Sequence, residues 1–175
     1  MFQGMQADEL LFDAGNSAIG PFLVASSRKG ICAVLLADDE DGLIAQLRKE
    51  FPGRGFRRGG AEYRRVVAEV EKLIESPHYV FLSPIEVAGD EFDRMVWAAL
   101  RGTRPGPTVS LAEIVRAIGA SASSERLVEA AIGRNRHAVL IPTHRVVDAQ
   151  GKSVPFRWGA QRQRELLTRE IAFYG

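Results

Sequence analysis

The sequence predicts an α+β fold, and three observations carry that reading. Residues 10–36 alternate short apolar, β-branched runs with turn residues. From residue 38 onward, apolar residues recur at helical spacing. Between the halves, "SPHYVFLSPIEVAGD" carries Pro77 and Pro84 and reads as an extended crossover. A boundary near Ile85 follows, giving an N-terminal α/β subdomain with a small antiparallel sheet over 1–85 and a helical subdomain over 86–175. At 175 residues the chain can hold one sizeable core or two small ones.

The runs "ELLF", "PFLVASS" and "ICAVLLA" are the strands, with "DAGNSAIG" and "RKG" as turns. Cys32, inside the last run, is expected to be a buried, inert thiol. "DDEDGLIAQLRKEF" opens with acids suited to a helix N-terminus and sets Leu43, Ile44, Leu47 and Phe51 on one face. Pro52 and Gly53 end it. "GRGFRRGG" reads as a solvated loop bearing Arg54, Arg57 and Arg58, and Tyr63, Val66, Val67, Val70 and Ile74 mark a second helix.

In the second half, "DEFDRMVWAALRGT" predicts a helix with Phe92, Met95, Val96, Ala99 and Leu100 toward a core. "SLAEIVRAIG" starts with a capping box, Ser110 with Glu113, and turns Leu111, Ile114, Val115 and Ile118 inward before Gly119. After "ASASS" comes "ERLVEAAIGRN". Two short helices around a small-residue turn fit a helix-turn-helix, and equally an ordinary helical hairpin. The tail "RWGAQRQRELLTREIAFYG" reads as a basic amphipathic closing helix.

A net charge of +1 gives no overall basic field, so nucleic-acid binding would need a local patch. The charge is unevenly spread, the stretch from Arg134 to Arg169 holding many Arg and few acids. A single cysteine excludes an internal disulfide and a cysteine-built zinc site. His78, His137 and His144 show no ligand spacing, so neither metal nor organic cofactor is expected. The start "MFQGMQADELLFDAGN" lacks a signal-peptide pattern, and no apolar run reaches membrane-spanning length. The expectation is a soluble cytoplasmic monomer.

The most informative stretch is "AVLIPTHRVV", residues 138–147, where an apolar run halts at Pro142 and Thr143, His144 and Arg145 follow. Together with "FDRMVWAALRGTRPGPTVSLAEIVRAIG", Arg126, "GRN" and "FRWG", in this order, it closely resembles the C-terminal domain of DNA O6-alkylguanine alkyltransferases of the adaptive-response type. "RKGICAVLLADDEDGLIAQLRKEFPG" looks like that family's N-terminal subdomain, so the resemblance covers residues 10 to 173. It implies a winged-helix-like C-terminal subdomain and duplex DNA as partner.

The resemblance also implies roles. The family's motif is Pro-Cys-His-Arg-Val, whose thiolate takes the alkyl group from a flipped guanine; here the cysteine position is Thr143. His144, Glu170 and Asn135 match its activating relay. A thiol ionises near neutral pH and an alcohol does not, so alkyl transfer should be absent. Alkyltransferase-like proteins, which lack the cysteine and bind alkylated guanine without repairing it, are the nearest counterpart. Pro142, Thr143, Val146, Phe156 and Arg157 match the base pocket, with Phe156 in place of tyrosine. Arg126 matches the arginine that takes the extruded base's place, and Ser110, Arg134 and Asn135 match further DNA-side positions.

Some positions depart from the family pattern. Leu111 replaces a tyrosine, Val154 and Pro155 replace smaller residues, and the turn before Arg126 is one residue longer. Glu125, Leu127 and Glu129 occupy a helix normally lined with Ala and Gly, which should weaken contact with a narrow, anionic groove. The leading expectation is a non-enzymatic binder of O6-alkylguanine in duplex DNA, working with other repair proteins. Alternatives are a diverged, inactive member that keeps the fold while its surface drifts, a pocket redeployed for small-molecule chemistry, an interaction or regulatory module, and an engineered Thr143 in an active enzyme. Leu111 and Phe156 speak against the last.

Overall fold

The computed structural model describes Gln6 and residues 8–173. The stretch Met1–Met5, part of the N-terminus read for a leader, and the last two residues of the expected tail helix lie outside them. The chain divides into two units, Met1–Val87 and Ala88–Gly175.

In the first unit, β1 (Glu9–Ser17), β2 (Gly20–Ser27) and β3 (Gly30–Leu36) form an antiparallel meander. The Arg28–Lys29 turn joins β2 to β3, and Gly30 takes φ +142°, a conformation that favours glycine. The segment read as a turn, "DAGNS", is instead the second half of β1, and the turn falls on Ala18 and Ile19. Its Gly and Asn are paired across to Phe22 and Pro21, so the partner strand overrides their turn propensity.

A second correction concerns "GRGFRRGG". Gly55–Arg58 is a strand, β4, paired parallel to β1 with Leu10 opposite Phe56, so the sheet order is β3-β2-β1-β4. Two helices, α1 (Glu40–Glu50) and α2 (Arg64–Glu75), pack on the sheet. Leu43 and Leu47 of α1 and Val66, Val67, Val70 and Ile74 of α2 are buried; Ile44 and Phe51, also expected inward, are only half-buried. With Leu10, Phe22, Leu23 and Leu35 they make a core removed from water, the main favourable contribution to this unit. The Tyr63 hydroxyl, 2.8 Å from Ser26 Oγ, has its pKa pushed up by burial and stays protonated. The isolated bridge between Ile31 and Ile85 attaches the crossover to β3.

In the second unit, α3 (Glu91–Arg101) starts at an Asp90 cap and buries Asp93, Val96, Trp97 and Leu100. This stripe lies one residue round from the expected one: Met95 is 42% exposed, and Phe92 and Ala99 are half-buried. Trp97 decides the rotation, because its large ring is buried and its Nε1–H donates to the Ala131 carbonyl at 3.0 Å. Next come β5 (Val109–Ser110), α4 (Leu111–Ala117), a 3-10 turn (Ala122–Ser124) and α5 (Glu125–Gly133). The Ser110–Glu113 capping box is formed, and Ile118 is half-buried beyond the end of α4. A second 3-10 turn, Thr143–Arg145, leads into β6 (Val146–Val147), which pairs parallel with β5. The closing helix is α6 (Ala160–Ala172). No described helix is long and apolar enough to cross a membrane.

Candidate functional site

The site is built where the chain leaves α5. Asn135 is wholly buried and organises the next eight residues. Its Oδ1 accepts from the His137 backbone N–H at 2.8 Å, and its Nδ2 donates to the Ile141 carbonyl at 3.1 Å and to Thr143 Oγ1 at 3.3 Å. Between them Val139 sits at φ +60°, rare for a β-branched residue, with Leu140 N donating to Ala138 O at 2.7 Å. This tight turn lets Pro142 end the apolar run and present the Thr143–Arg145 turn.

His144 and Arg145 converge on one carboxylate from α6. His144 Nε2 lies 2.7 Å from Glu170 Oε1, while Arg145 Nε and Nη2 donate to Glu170 at 3.0 and 2.8 Å. Arg145 Nη1 reaches the carbonyl and hydroxyl of Thr103 at 2.8 and 2.9 Å, and Gly106 N–H donates to Glu170 Oε2 at 2.9 Å. Burial alone would raise the Glu170 carboxyl. The hydrogen bonds from His144, Arg145 and Gly106 outweigh it and lower the pKa to about 2. Burial lowers the His144 pKa from its ordinary value, outweighing the pull of Glu170. Glu170 is thus ionised and His144 neutral. Nε2 carries the proton given to Glu170, and Nδ1 keeps a lone pair with no partner among the described residues. Buried Gln163 holds the segment from below, donating to the carbonyls of His144 and Val154, each at 3.2 Å.

The expected pocket residues gather around this relay. Pro142, Thr143, Val146 and Phe156 are buried, and the Phe156 ring stands edge-on to His144 and to Trp158, with centroids 6.1 and 5.2 Å away. Arg157 is half-buried, donates to the Asn135 carbonyl at 3.0 Å and lies over the Trp158 ring. The expected DNA-side residues divide. Arg126 is exposed on the first turn of α5 and has no hydrogen-bond or ion-pair partner among the described residues. Arg134 is half-exposed but engaged by buried Asp93, its Nε 3.0 Å from one carboxylate oxygen and its Nη2 2.5 Å from the other. Asn135 points into the relay, away from any surface. The Ser110 N–H already meets Glu113 Oε2 at 2.7 Å, so a side chain of the protein occupies the place expected for a phosphate.

Comparison with known proteins matches this site-bearing half, residues 91–172, to the family model of the 6-O-methylguanine DNA methyltransferase DNA-binding domain. The inducible methylated-DNA–protein-cysteine methyltransferase of Bacillus subtilis is 31% identical over 85% of this chain and 83% of its own. The chain belongs to the O6-methylguanine–DNA methyltransferase family. Another relative in the family, the bifunctional transcriptional activator and DNA repair enzyme Ada of Escherichia coli, is 37% identical over 87% of this chain. The chain spans 43% of Ada's length. The crystal structure of Mycobacterium tuberculosis OGT in complex with DNA has the same fold, with a TM-score of 0.77 at 24% identity over 94% of this chain and 93% of that one.

The residue before His144 is where this chain departs from the cysteine that the resemblance leads one to expect. The Bacillus relative is named for a protein cysteine, whereas the one cysteine here, Cys32, is buried in β3 and the position before His144 is Thr143. Sequence reading assigned no part to Arg145, Thr103, Gly106 or Gln163. An arginine directly after His144 was a usable signal for the first; the others rest on contacts across 42, 64 and 19 residues, which leave no local pattern.

Proposed function

We propose that this protein is a DNA-binding member of its family that recognises an O6-alkylated guanine flipped out of the duplex and leaves the alkyl group in place for other repair proteins. One observation carries the reading. A buried Thr143 hydroxyl stands beside a relay whose other members, Asn135, His144 and Glu170, are assembled. A neutral imidazole with a lowered pKa is a weak base. It can help ionise a thiol, with an ordinary pKa of about 8.5, but not an alcohol many units higher. The pocket and relay are kept while the nucleophile is gone.

DNA as the ligand is supported by the family model and by the similar fold crystallised with DNA. Arg126, exposed and unpaired among the described residues, is the cation available to fill the gap left by an extruded base. The test is fluorescence anisotropy at stated salt with a duplex carrying one O6-methylguanine and its unmodified twin, followed by mass spectrometry of the protein. The expected result is tighter binding to the lesion, loss of that preference in Arg126→Glu, and no added alkyl group. Equal affinity for both duplexes would end the sensor reading, and an alkyl group on Thr143 would end the non-enzymatic one.

A second reading rests on α5, where Leu127 is 57% exposed and Glu129 is exposed. An acidic, apolar helix face suits a protein partner better than a phosphate backbone. Absence of binding to either duplex, with copurification of a protein lost in Leu127→Ala, would favour it.

A further inference from the structure

Resting on the reading of a flipped guanine, we propose that Thr143 acts as a hydrogen-bond donor to the oxygen at C6 of that base, so that the position of the lost nucleophile selects for purines that carry this oxygen. The direction of the bond follows from Asn135. Its Oδ1 receives the His137 N–H at 2.8 Å, which only the carbonyl end of the amide can do. The NH2 end therefore faces Thr143, and the threonine oxygen is the acceptor of that 3.3 Å bond.

The hydroxyl still has its own hydrogen to give. Among the described residues the hydroxyl accepts from Asn135 and donates no hydrogen bond of its own, although Thr143 is only 1% exposed. A buried donor left unsatisfied is costly, so a ligand that brings an acceptor to it is favoured over one that does not. Guanine and O6-alkylguanine both place an oxygen with lone pairs at C6; 2-aminopurine has only hydrogen there. Threonine differs here from cysteine, whose S–H is a weak donor.

The test measures binding of wild type, Thr143→Ser and Thr143→Val to duplexes carrying O6-methylguanine or 2-aminopurine at the same position. Fluorescence of 2-aminopurine reports separately whether the base leaves the stack. Val keeps the shape of Thr, and Asn135 Nδ2 retains the carbonyls of Ile141 and His137, so the variant keeps its fold. Wild type and Thr143→Ser should bind O6-methylguanine about tenfold more tightly than 2-aminopurine, the effect of one hydrogen bond. In Thr143→Val the ratio should fall to near one. A ratio unchanged in Thr143→Val, or near one in wild type while 2-aminopurine brightens, overturns the donor role and leaves the base-flipping reading standing. No binding and no fluorescence change with any duplex overturns both.

Discussion

Glu170 is the residue on which the site depends. It is 3% exposed and is the only carboxylate among the described residues that bonds Arg145, itself 7% exposed. Glu170→Ala should therefore destabilise the protein by about 3 kcal/mol or more in urea titration, because it leaves a buried guanidinium without its countercharge. Its folded pKa of about 2 lies below the ordinary 4.5, so its stabilising contribution is present above pH 4.5 and lost as pH falls toward 2. Neutral His144 acts in the same direction at higher pH: its folded pKa is below 6.5, so stability falls once the unfolded chain begins to take up that proton. Urea midpoints measured between pH 7 and pH 3 should decline, and more shallowly in Glu170→Gln, where the titrating carboxyl is gone. Thr143, His144, Asn135 and Glu170 were named from the family resemblance, and the structure brings Asn135 beside Thr143 and His144 against Glu170. Arg145 was named with them but given no role of its own, because what matters is how one carboxylate divides its two oxygens between two side chains. A sequence does not state that division.

At the scale of elements, α5 brings two opposed tendencies together. Arg126 is an exposed cation, yet Leu127 and Glu129 beside it present bulk and negative charge. Replacing Glu129 by Gln should tighten DNA binding about two- to tenfold at low salt, measured by anisotropy, since it removes one repulsion from the phosphates. At the other helix, Ser110→Ala removes the cap of α4 and should cost about 1 kcal/mol, read as a lower Tm. The capping box was legible because it is local, four residues with both ends in view. Strand β4 was not. Gly55, Arg57 and Arg58 look like a solvated loop, and only pairing with β1, some 46 residues earlier in the case of Leu10 and Phe56, makes them a strand. The face of α3 was read one residue off, with Val96 and Leu100 buried as expected and Met95 exposed, for a similar reason. Its spacing allowed two neighbouring stripes, and the reach of Trp97 to Ala131 chose between them.

For the whole molecule, a net charge of +1 means that long-range attraction to DNA is weak. Affinity should fall with salt at a slope set by a few local contacts, and Arg126→Ala should reduce that slope by about one. The boundary near Ile85 was read from the two prolines of the crossover, since the change of hydrophobic period from two to about 3.6 falls earlier, near residue 38 and inside the first unit, which itself carries α1 and α2. Strand order in the sheet has one more consequence. A strand with an unpaired outer side is a template on which other chains can stack. Here one flank is β4, four residues long, whose Arg57 and Arg58 are exposed and ion-paired to Glu9, Asp13 and Glu40. The opposite flank, apolar β3, is partly capped by the crossover: Ile31 N–H donates to Pro84 O and Ile31 O accepts from Glu86 N–H, both at 2.8 Å. The same crossover residue limits Gly30, since a Cβ there would collide with the Pro84 carbonyl. The first unit thus has one flank guarded by charge and the other by its own backbone, which should keep it from fibrillar self-association at concentrations where a bare apolar flank would precipitate.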